Sequence, residues 1–158
     1  LFEVIKKNSL RAPFYLMTQF NHPLEITEKA ESVINNFIKL GIPIMNQTVL
    51  LRGVNDSVEV QTELSNKLLS LRVKPYYLFQ GDLVQGTAHL RVPLSKGLEI
   101  EKGMRESLSG LGLPQYTIDL PQGGGKVPVE SRYNKGMKDG VWTFSTIDGE
   151  ERHYPEDV

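Results

Sequence analysis

The sequence predicts an α/β protein with a mainly parallel β-sheet. Apolar segments of strand length alternate three times with segments whose apolar residues recur at helical spacing. Each predicted strand also runs into a polar loop before the next helix begins. Strictly alternating strands and helices are typical of βα units, whose strands lie parallel. The pattern therefore indicates three βα units, arranged either in an open sheet or as part of a (β/α) barrel.

The first unit begins after the end of an amphipathic helix at residues 1–9. Residues 14–20 are apolar almost throughout, which predicts a parallel strand covered on both faces. A helix should follow from Thr27 to Gly41. Thr27 is a suitable N-cap because its hydroxyl can accept a hydrogen bond from a first-turn amide, and glycine is common where helices end.

The second unit combines a strand at residues 43–51 with a helix at 57–71, and the third a strand at 73–80 with a helix at about 95–108. In such folds the functional loops follow the carboxyl ends of the strands. Those loops are polar here and should form a pocket at one rim. Their polar residues are Gln19, Asn21, His22, Arg52, Asn55, Asp56, Gln80, Asp82, His89 and Arg91.

A glycine run follows a short predicted strand at residues 115–118 and ends at Lys126. Glycines let main-chain amides approach a ligand, so this segment should be a loop that presents an amine. An unprotonated lysine condenses with an aldehyde to a Schiff base, whereas a protonated one pairs with an anion. The segment is not a Walker P-loop, because its spacing is absent and Val127 follows the lysine. A solvated loop with an ordinary lysine fits the local sequence too.

The last 30 or so residues have Asp-Gly turn signals and predict a small β-hairpin. We therefore divide the chain into residues 1–113, which carry the βα units, and 114–158, a C-terminal extension with the lysine and the hairpin.

The composition of the chain argues against several classes of function. The 158 residues are 39% hydrophobic and 23% charged, as expected for a globular chain, and a net charge of −1 gives no basic field for nucleic acid. The absence of cysteine excludes an iron–sulfur cluster held by this chain. No apolar run could span a bilayer and no signal peptide is present, so we expect a cytoplasmic protein without a membrane partner. Because the sequence does not begin with methionine, we expect it to be a fragment of a longer protein.

Four motifs, in order, resemble the lysine 2,3-aminomutase family of radical S-adenosylmethionine (SAM) enzymes, which use pyridoxal phosphate (PLP). The resemblance covers about residues 14–130. It implies that the βα units are the C-terminal half of a partial TIM-like radical SAM barrel. The motifs are Phe20-Asn21-His22-Pro23, the segment from Asn46 to Asp56, Lys74-Pro75-Tyr76-Tyr77, and Asp119 with the segment from Gly123 to Val129.

The resemblance also implies cofactor contacts. PLP would form an aldimine with Lys126, which makes this the catalytic lysine, and the cofactor loop would be the glycine run. Gln19 and Gln47 fall at positions that contact SAM in the family. The glycines of the run are Gly123, Gly124 and Gly125.

The implied substrate is free L-lysine, converted to L-β-lysine by a SAM-derived radical while it is held as the PLP aldimine. Asp82 and Asp119 match the two aspartates that bind the ε-ammonium of the substrate. An ammonium taken out of water needs such acceptors, because charge-assisted hydrogen bonds replace its hydration.

The sequence departs from the family pattern in three respects. The Cys-x-x-x-Cys-x-x-Cys motif that binds the [4Fe-4S] cluster lies upstream in the family, so this chain alone should not cleave SAM. Ser57 replaces one zinc-binding cysteine of some members, so no metal site is expected. Phe79 stands where tyrosine is usual.

Three alternatives stay open. The chain could be a non-catalytic fragment that binds or assembles with another copy, and exposed sheet edges favour a homo-oligomer in any case. It could belong to a related aminomutase acting on another amino acid or on protein-bound lysine. An unrelated PLP enzyme would need only Lys126, but it leaves the other motifs unexplained.

Overall fold

A computed structural model describes residues 1–9, 11–120, 125–129, 134–146 and 149–155. Short 3-10 turns lie at Pro23–Glu25 and Ala88–Leu90. The helices and strands, in chain order, are α1 (Phe2–Asn8), β1 (Leu16–Thr18), α2 (Glu28–Lys39), β2 (Ile44–Val49), α3 (Val58–Ser70), β3 (Val73–Phe79), α4 (Leu94–Ser107), β4 (Gln115–Leu120), β5 (Gly125–Pro128), β6 (Asn134–Lys138), β7 (Val141–Ser145) and β8 (Glu151–Pro155).

The main sheet has five strands in the order β1-β2-β3-β4-β5. The first four strands are parallel, and β5 runs antiparallel to β4. The three predicted βα units are confirmed as β1 with α2, β2 with α3, and β3 with α4. The chain is therefore an α/β protein with a mostly parallel sheet.

Two of the helices, α2 and α3, begin where the sequence provides a side-chain cap. Thr27 Oγ1 accepts a hydrogen bond from the Ala30 amide at 3.3 Å, and Ser57 Oγ accepts one from the Val60 amide at the same distance. Gly41 follows α2 with φ of 74°, in the left-handed region that favours glycine.

Two apolar clusters fill the space between the sheet and the helices. The first lies between α2, α3 and the amino-terminal parts of the strands, and the second lies under α4, beneath the carboxyl end of β3. The second cluster supports the loop that follows β3. Its buried members are Leu50, Leu78, Val92, Ile100, Met104 and Tyr116.

The opposite side of the sheet is the open face, the side that carries Gln47, Tyr77, Phe79 and Asp119. Burial alternates along β2, where Ile44, Asn46 and Thr48 are buried and their neighbours are half-exposed. Because side chains of a strand alternate between its two faces, the half-exposed set lies on the side away from the helices.

A register shift changes this alternation in β3. Asn46 pairs with Pro75 but Gln47 pairs with Tyr77, so Tyr76 is an extra residue of the β-bulge type. The rings of Tyr76 and Tyr77 lie 4.1 Å apart between centroids, and those of Tyr77 and Phe79 lie 5.1 Å apart. All three rings therefore lie on the open face.

The first strand differs from its prediction. Only Leu16–Thr18 forms β1, which is an edge strand of the described sheet, and Tyr15 and Met17 are 66% and 40% exposed. The expectation that residues 14–20 are covered on both faces is wrong for this chain, because α2 covers one face and the other is the open face.

The second sheet is three-stranded and antiparallel, in the order β6-β7-β8. The predicted hairpin corresponds to β6 and β7, joined at Asp139-Gly140, where both φ angles are positive. Such angles suit the tight turns that match strand twist, and β8 adds a strand that was not predicted. The boundary at residue 113 stays a prediction, and the main sheet continues across it because β3 pairs with β4.

No helix in the described ranges is both long enough and apolar enough to cross a membrane.

Candidate functional site

The central feature of the open face is an ion pair between Lys126 and Asp119. The two residues are opposite each other in the β4–β5 ladder. Lys126 Nζ lies 2.7 Å from Asp119 Oδ2 and 3.1 Å from Oδ1. The side chains are 51% and 33% exposed, so both remain accessible to a ligand.

Lys126 lies in strand β5 rather than in the loop that the glycine run predicted. Its neighbours pair with β4, because β5 runs antiparallel beside that strand. The pairing holds the lysine backbone in a fixed register, which a free loop would not do. Gly125 starts this strand with φ of 78°, and Gly123 and Gly124 lie outside the described residues.

An aromatic ring completes the surroundings of the amine. Lys126 Nζ lies 5.0 Å from the centroid of the Phe79 ring, within the range of a cation–π interaction. Phe79 in turn contacts Tyr77 on the same face. The ammonium is therefore held by a carboxylate and an aromatic ring, a combination that binds an alkylammonium group.

The two glutamines predicted to contact SAM lie in different surroundings. Gln47 is half-buried on the open face and pairs with Tyr77 in the ladder, which places it on the same side of the sheet as Lys126. Gln19 is exposed just beyond the carboxyl end of β1. Their contacts with SAM stay predictions.

Asp82 lies in the loop between β3 and α4, and it is exposed. Its carboxylate has no hydrogen-bond or ion-pair partner among the described residues, but its main-chain oxygen accepts hydrogen bonds from Arg91 Nε at 3.2 Å and Nη2 at 3.1 Å. Asp82 follows β3 and Asp119 lies late in β4, and these strands are parallel neighbours. Both aspartates therefore lie towards the same edge of the sheet.

Several residues of the predicted rim pocket are structural instead. Asn55 is fully buried, donates through Nδ2 to the carbonyls of Asn21 at 2.7 Å and Val49 at 2.8 Å, and accepts from the Leu51 amide at 2.7 Å. The Asn21 carboxamide accepts from the Val49 amide at 2.8 Å. These two asparagines tie the loops after β1 and β2 together. The prediction that Asn55 lines a pocket is wrong because the side chain is fully buried, whereas the place of half-buried Asn21 in the pocket stays a prediction.

Gln80 belongs to the same predicted pocket, and this prediction is wrong because the residue is buried, with an exposed fraction of 6%. Its Nε2 donates to the Val92 carbonyl at 2.6 Å, and its Oε1 accepts from the Tyr116 hydroxyl at 2.6 Å. Burial, and secondarily the charge of Glu101, raises the pKa of Tyr116 to about 12. Sequence reasoning missed Tyr116, because its partner lies 36 residues away and no local pattern links them.

No group of three or more His, Cys, Asp or Glu side chains suited to a metal ion occurs among the described residues.

Comparison with known proteins shows strong sequence similarity to one group. The chain is 46% identical over 154 residues to a putative L-lysine 2,3-aminomutase from Aquifex aeolicus, covering 98% of this chain and 41% of that protein. It is 50% identical over 121 residues to L-lysine 2,3-aminomutase from Clostridium subterminale, covering 77% and 29%. It is also 42% identical over 121 residues to glutamate 2,3-aminomutase from Clostridioides difficile, covering 77% and 29%.

The chain thus spans less than half the length of each of these relatives. No protein-family model matches the chain. Among solved structures, the chain is similar to a radical SAM methyltransferase from Sphaerobacter thermophilus, with a TM-score of 0.51, 18% identity, and coverage of 75% of this chain and 38% of that one. At this identity the likeness concerns the fold, and it agrees with part of a TIM-like barrel.

Proposed function

This chain is related by sequence over most of its length to the lysine 2,3-aminomutases, and on that premise we propose that it forms the part of such an enzyme that holds the reactive amine and the substrate's distal ammonium. The reaction moves the α-amino group of L-lysine to the β carbon and gives L-β-lysine. The observation that carries the proposal is the Lys126–Asp119 pair beside Phe79 on the open face.

The residues of the open face fit PLP. Lys126 Nζ is half-exposed and held in a defined position, as an amine that bonds an aldehyde must be. When bound, PLP supplies that aldehyde carbon and a conjugated ring that stabilises charge or an unpaired electron. Asp119 Oδ2, at 2.7 Å, is an acceptor for the proton that Nζ loses before its lone pair can attack.

The chain does not fit the iron–sulfur cluster, since it contains no cysteine. We therefore assign no step of radical generation to these residues. Gln47, on the open face, and Gln19, beyond β1, are proposed to contact SAM. Their amides could bind its polar groups without adding charge.

Asp82 and Asp119 are proposed to hold the ε-ammonium of L-lysine. Asp119 already binds one alkylammonium, that of Lys126, with two short contacts. A substrate with a distal carboxylate, such as glutamate, would place like charges together at this position, which costs free energy. This electrostatic argument favours lysine over glutamate, even though a glutamate 2,3-aminomutase is among the relatives.

Borohydride trapping followed by turnover assays tests the proposal. The protein that carries this chain is incubated with PLP, reduced with borohydride, digested and analysed by mass spectrometry. We expect the pyridoxyl group on Lys126, and its loss in Lys126→Ala. Lys135→Ala is a matched control, because Lys135 is an exposed lysine of β6 in the second sheet.

A pyridoxyl group on another lysine would remove the assignment of Lys126. The same protein, supplied with SAM and a reduced cluster, is then given L-lysine or L-glutamate, and the β-amino acid is measured. Production of β-glutamate without β-lysine would contradict the proposed substrate.

A further inference from the structure

Gln80 connects the segments that carry the two aspartates of the proposed ammonium site. Its main-chain amide donates to the Thr117 carbonyl at 2.9 Å, and its side-chain oxygen accepts from the Tyr116 hydroxyl. Asp82 lies two residues after Gln80, and Asp119 lies two residues after Thr117. In extended chain, two residues span about 7 Å. We call these two hydrogen bonds of Gln80, to Thr117 and Tyr116, the junction. Each aspartate lies two residues along the chain from it.

The same side chain also closes the loop that carries Asp82. Gln80 Nε2 donates to the Val92 carbonyl, so the residues at the start and end of the loop are joined. Inside this closure, Arg91 donates to the carbonyls of Asp82 and, at 3.4 Å, of Val84. The loop is therefore anchored at its base by Gln80 and along its course by Arg91.

The junction has little freedom to move. Tyr116 is 3% exposed, and its ring packs against the helix backbone at Gly97. A Cβ at residue 97 would overlap the Tyr116 hydroxyl and lie 2.7 Å from Cζ. Buried hydrogen bonds in such tight surroundings keep their geometry, because neither partner can find water instead.

From these contacts we infer that Gln80 is a positioning residue, which sets the separation between the Asp82 and Asp119 carboxylates and so tunes recognition of the substrate's distal ammonium. This inference rests on the proposed function. An ammonium shared by two carboxylates needs both within hydrogen-bond reach at once, so a shift of the loop relative to β4 weakens binding without touching the reacting atoms.

The chain offers a matched control in Gln61. This residue is 2% exposed, and its Nε2 donates to the Asn55 carbonyl at 2.9 Å. Gln80→Met and Gln61→Met remove the same buried amide and retain a side chain of similar length. The double variant Gln80→Met/Tyr116→Phe also removes the hydroxyl that Gln80→Met leaves without a partner, which should restore part of the lost stability but not the connection.

The first measurement is steady-state kinetics of the cofactor-loaded protein with L-lysine. We expect Gln80→Met and the double variant to raise KM about tenfold while kcat stays within about twofold. Gln61→Met should leave KM unchanged. A lower kcat with unchanged KM in the Gln80 variants, or an equal rise of KM in Gln61→Met, would mean a general structural role and would overturn the inference.

The second measurement needs no activity. These 158 residues include no cysteine, so spin labels on this chain attach only to cysteines introduced at two exposed positions, Leu83 (71% exposed) and Leu120 (42%). We expect Gln80→Met to broaden the label–label distance distribution, and Gln61→Met to leave it as in the parent chain. An unchanged distribution in Gln80→Met would refute the positioning role even if lysine is the substrate. If the unmodified protein does not use lysine, the proposed function fails, and this distribution alone decides whether Gln80 positions the loop.

Discussion

Lys126 donates to both carboxylate oxygens of Asp119, at 2.7 and 3.1 Å, from the strand directly opposite. An ammonium of the chain itself thus occupies an acceptor that we propose for the substrate. The two roles of Asp119 compete while Lys126 keeps its charge, because two ammonium groups on one carboxylate repel each other. Loss of the Lys126 charge would leave Asp119 to the substrate.

The first prediction follows from this competition. Lys126→Met, which removes the competing ammonium, should increase the affinity for 1,5-diaminopentane, a lysine analogue without a carboxylate, by about two- to fivefold, the range expected for an exposed ion pair. Isothermal titration of this variant and of the unmodified protein measures it. Adding Asp119→Asn should remove the increase, and an increase that persists in the double variant would show that Asp119 is not the acceptor.

Substrate binding should depend on both carboxylates. Asp119→Asn and Asp82→Asn are each expected to raise KM for L-lysine by about 10- to 100-fold, since a desolvated ammonium loses a charged partner. The affinity for PLP, followed by its absorbance, should change far less in Asp82→Asn. Asp56→Asn is the control, since Asp56 caps the Gly53 amide in a different loop. Equal loss of lysine and PLP binding in Asp82→Asn would indicate a folding defect.

Gly97 should tolerate no side chain. Gly97→Ala gains about 1 kcal/mol of helix propensity, but overlap with Tyr116 should cost about 1–3 kcal/mol more than that gain. Urea unfolding should therefore show net destabilisation, and Tyr116→Phe in the same chain should recover part of it. Gly110→Ala is the control, because a Cβ there meets nothing within 4 Å. Similar effects of the two alanines would contradict this account of the packing.

Replacement of the buried Asn55 should destabilise the protein more than replacement of a less buried loop residue such as His22. Asn55→Ala removes three hydrogen bonds and leaves main-chain groups of Asn21, Val49 and Leu51 without partners, which should cost about 3 kcal/mol or more. His22→Ala, which removes one exposed cap to the Leu24 amide, should cost about 1 kcal/mol or less. Chemical denaturation measures both, and comparable losses would count against the buried network as the cause.

Stability should fall in alkaline solution because of Tyr116. Its folded pKa is about 12 and its ordinary value is 10.0, so the folded state keeps a proton that the unfolded chain releases. The stabilisation is complete below pH 10 and is lost as the pH rises towards 12, by up to about 2–3 kcal/mol. The free energy of unfolding at several pH values measures this slope. Tyr116→Phe should reduce it, and an unchanged slope would refute the assignment.

The order of the βα units could be read from the sequence because each unit carries its own signals. Thr27 and Ser57 cap helices whose apolar spacing is regular, and Gly41 ends one of them. The pairing of Lys126 with Asp119 could not be predicted from the sequence. A glycine-rich sequence is compatible with many backbone conformations, and the register of Lys126 depends on its pairing with β4. The structural roles of Asn55 and Gln80 depend on partners from other loops, which a single sequence does not reveal.

The extra residue in β3 decides which side chains meet a ligand. Pro75 and Leu78 are both buried although they are three positions apart, an odd interval that a regular strand does not allow on one face. Beyond this point the parity of the strand is inverted: Phe79 is delivered to the reactive side and Gln80 to the interior. A regular strand of the same sequence, in which Tyr76 took part in the ladder without a bulge, would exchange them and would put the amide beside Lys126 and the ring under α4. The bulge at Tyr76 therefore decides which side chains at the end of β3 lie on the open face and which belong to the core.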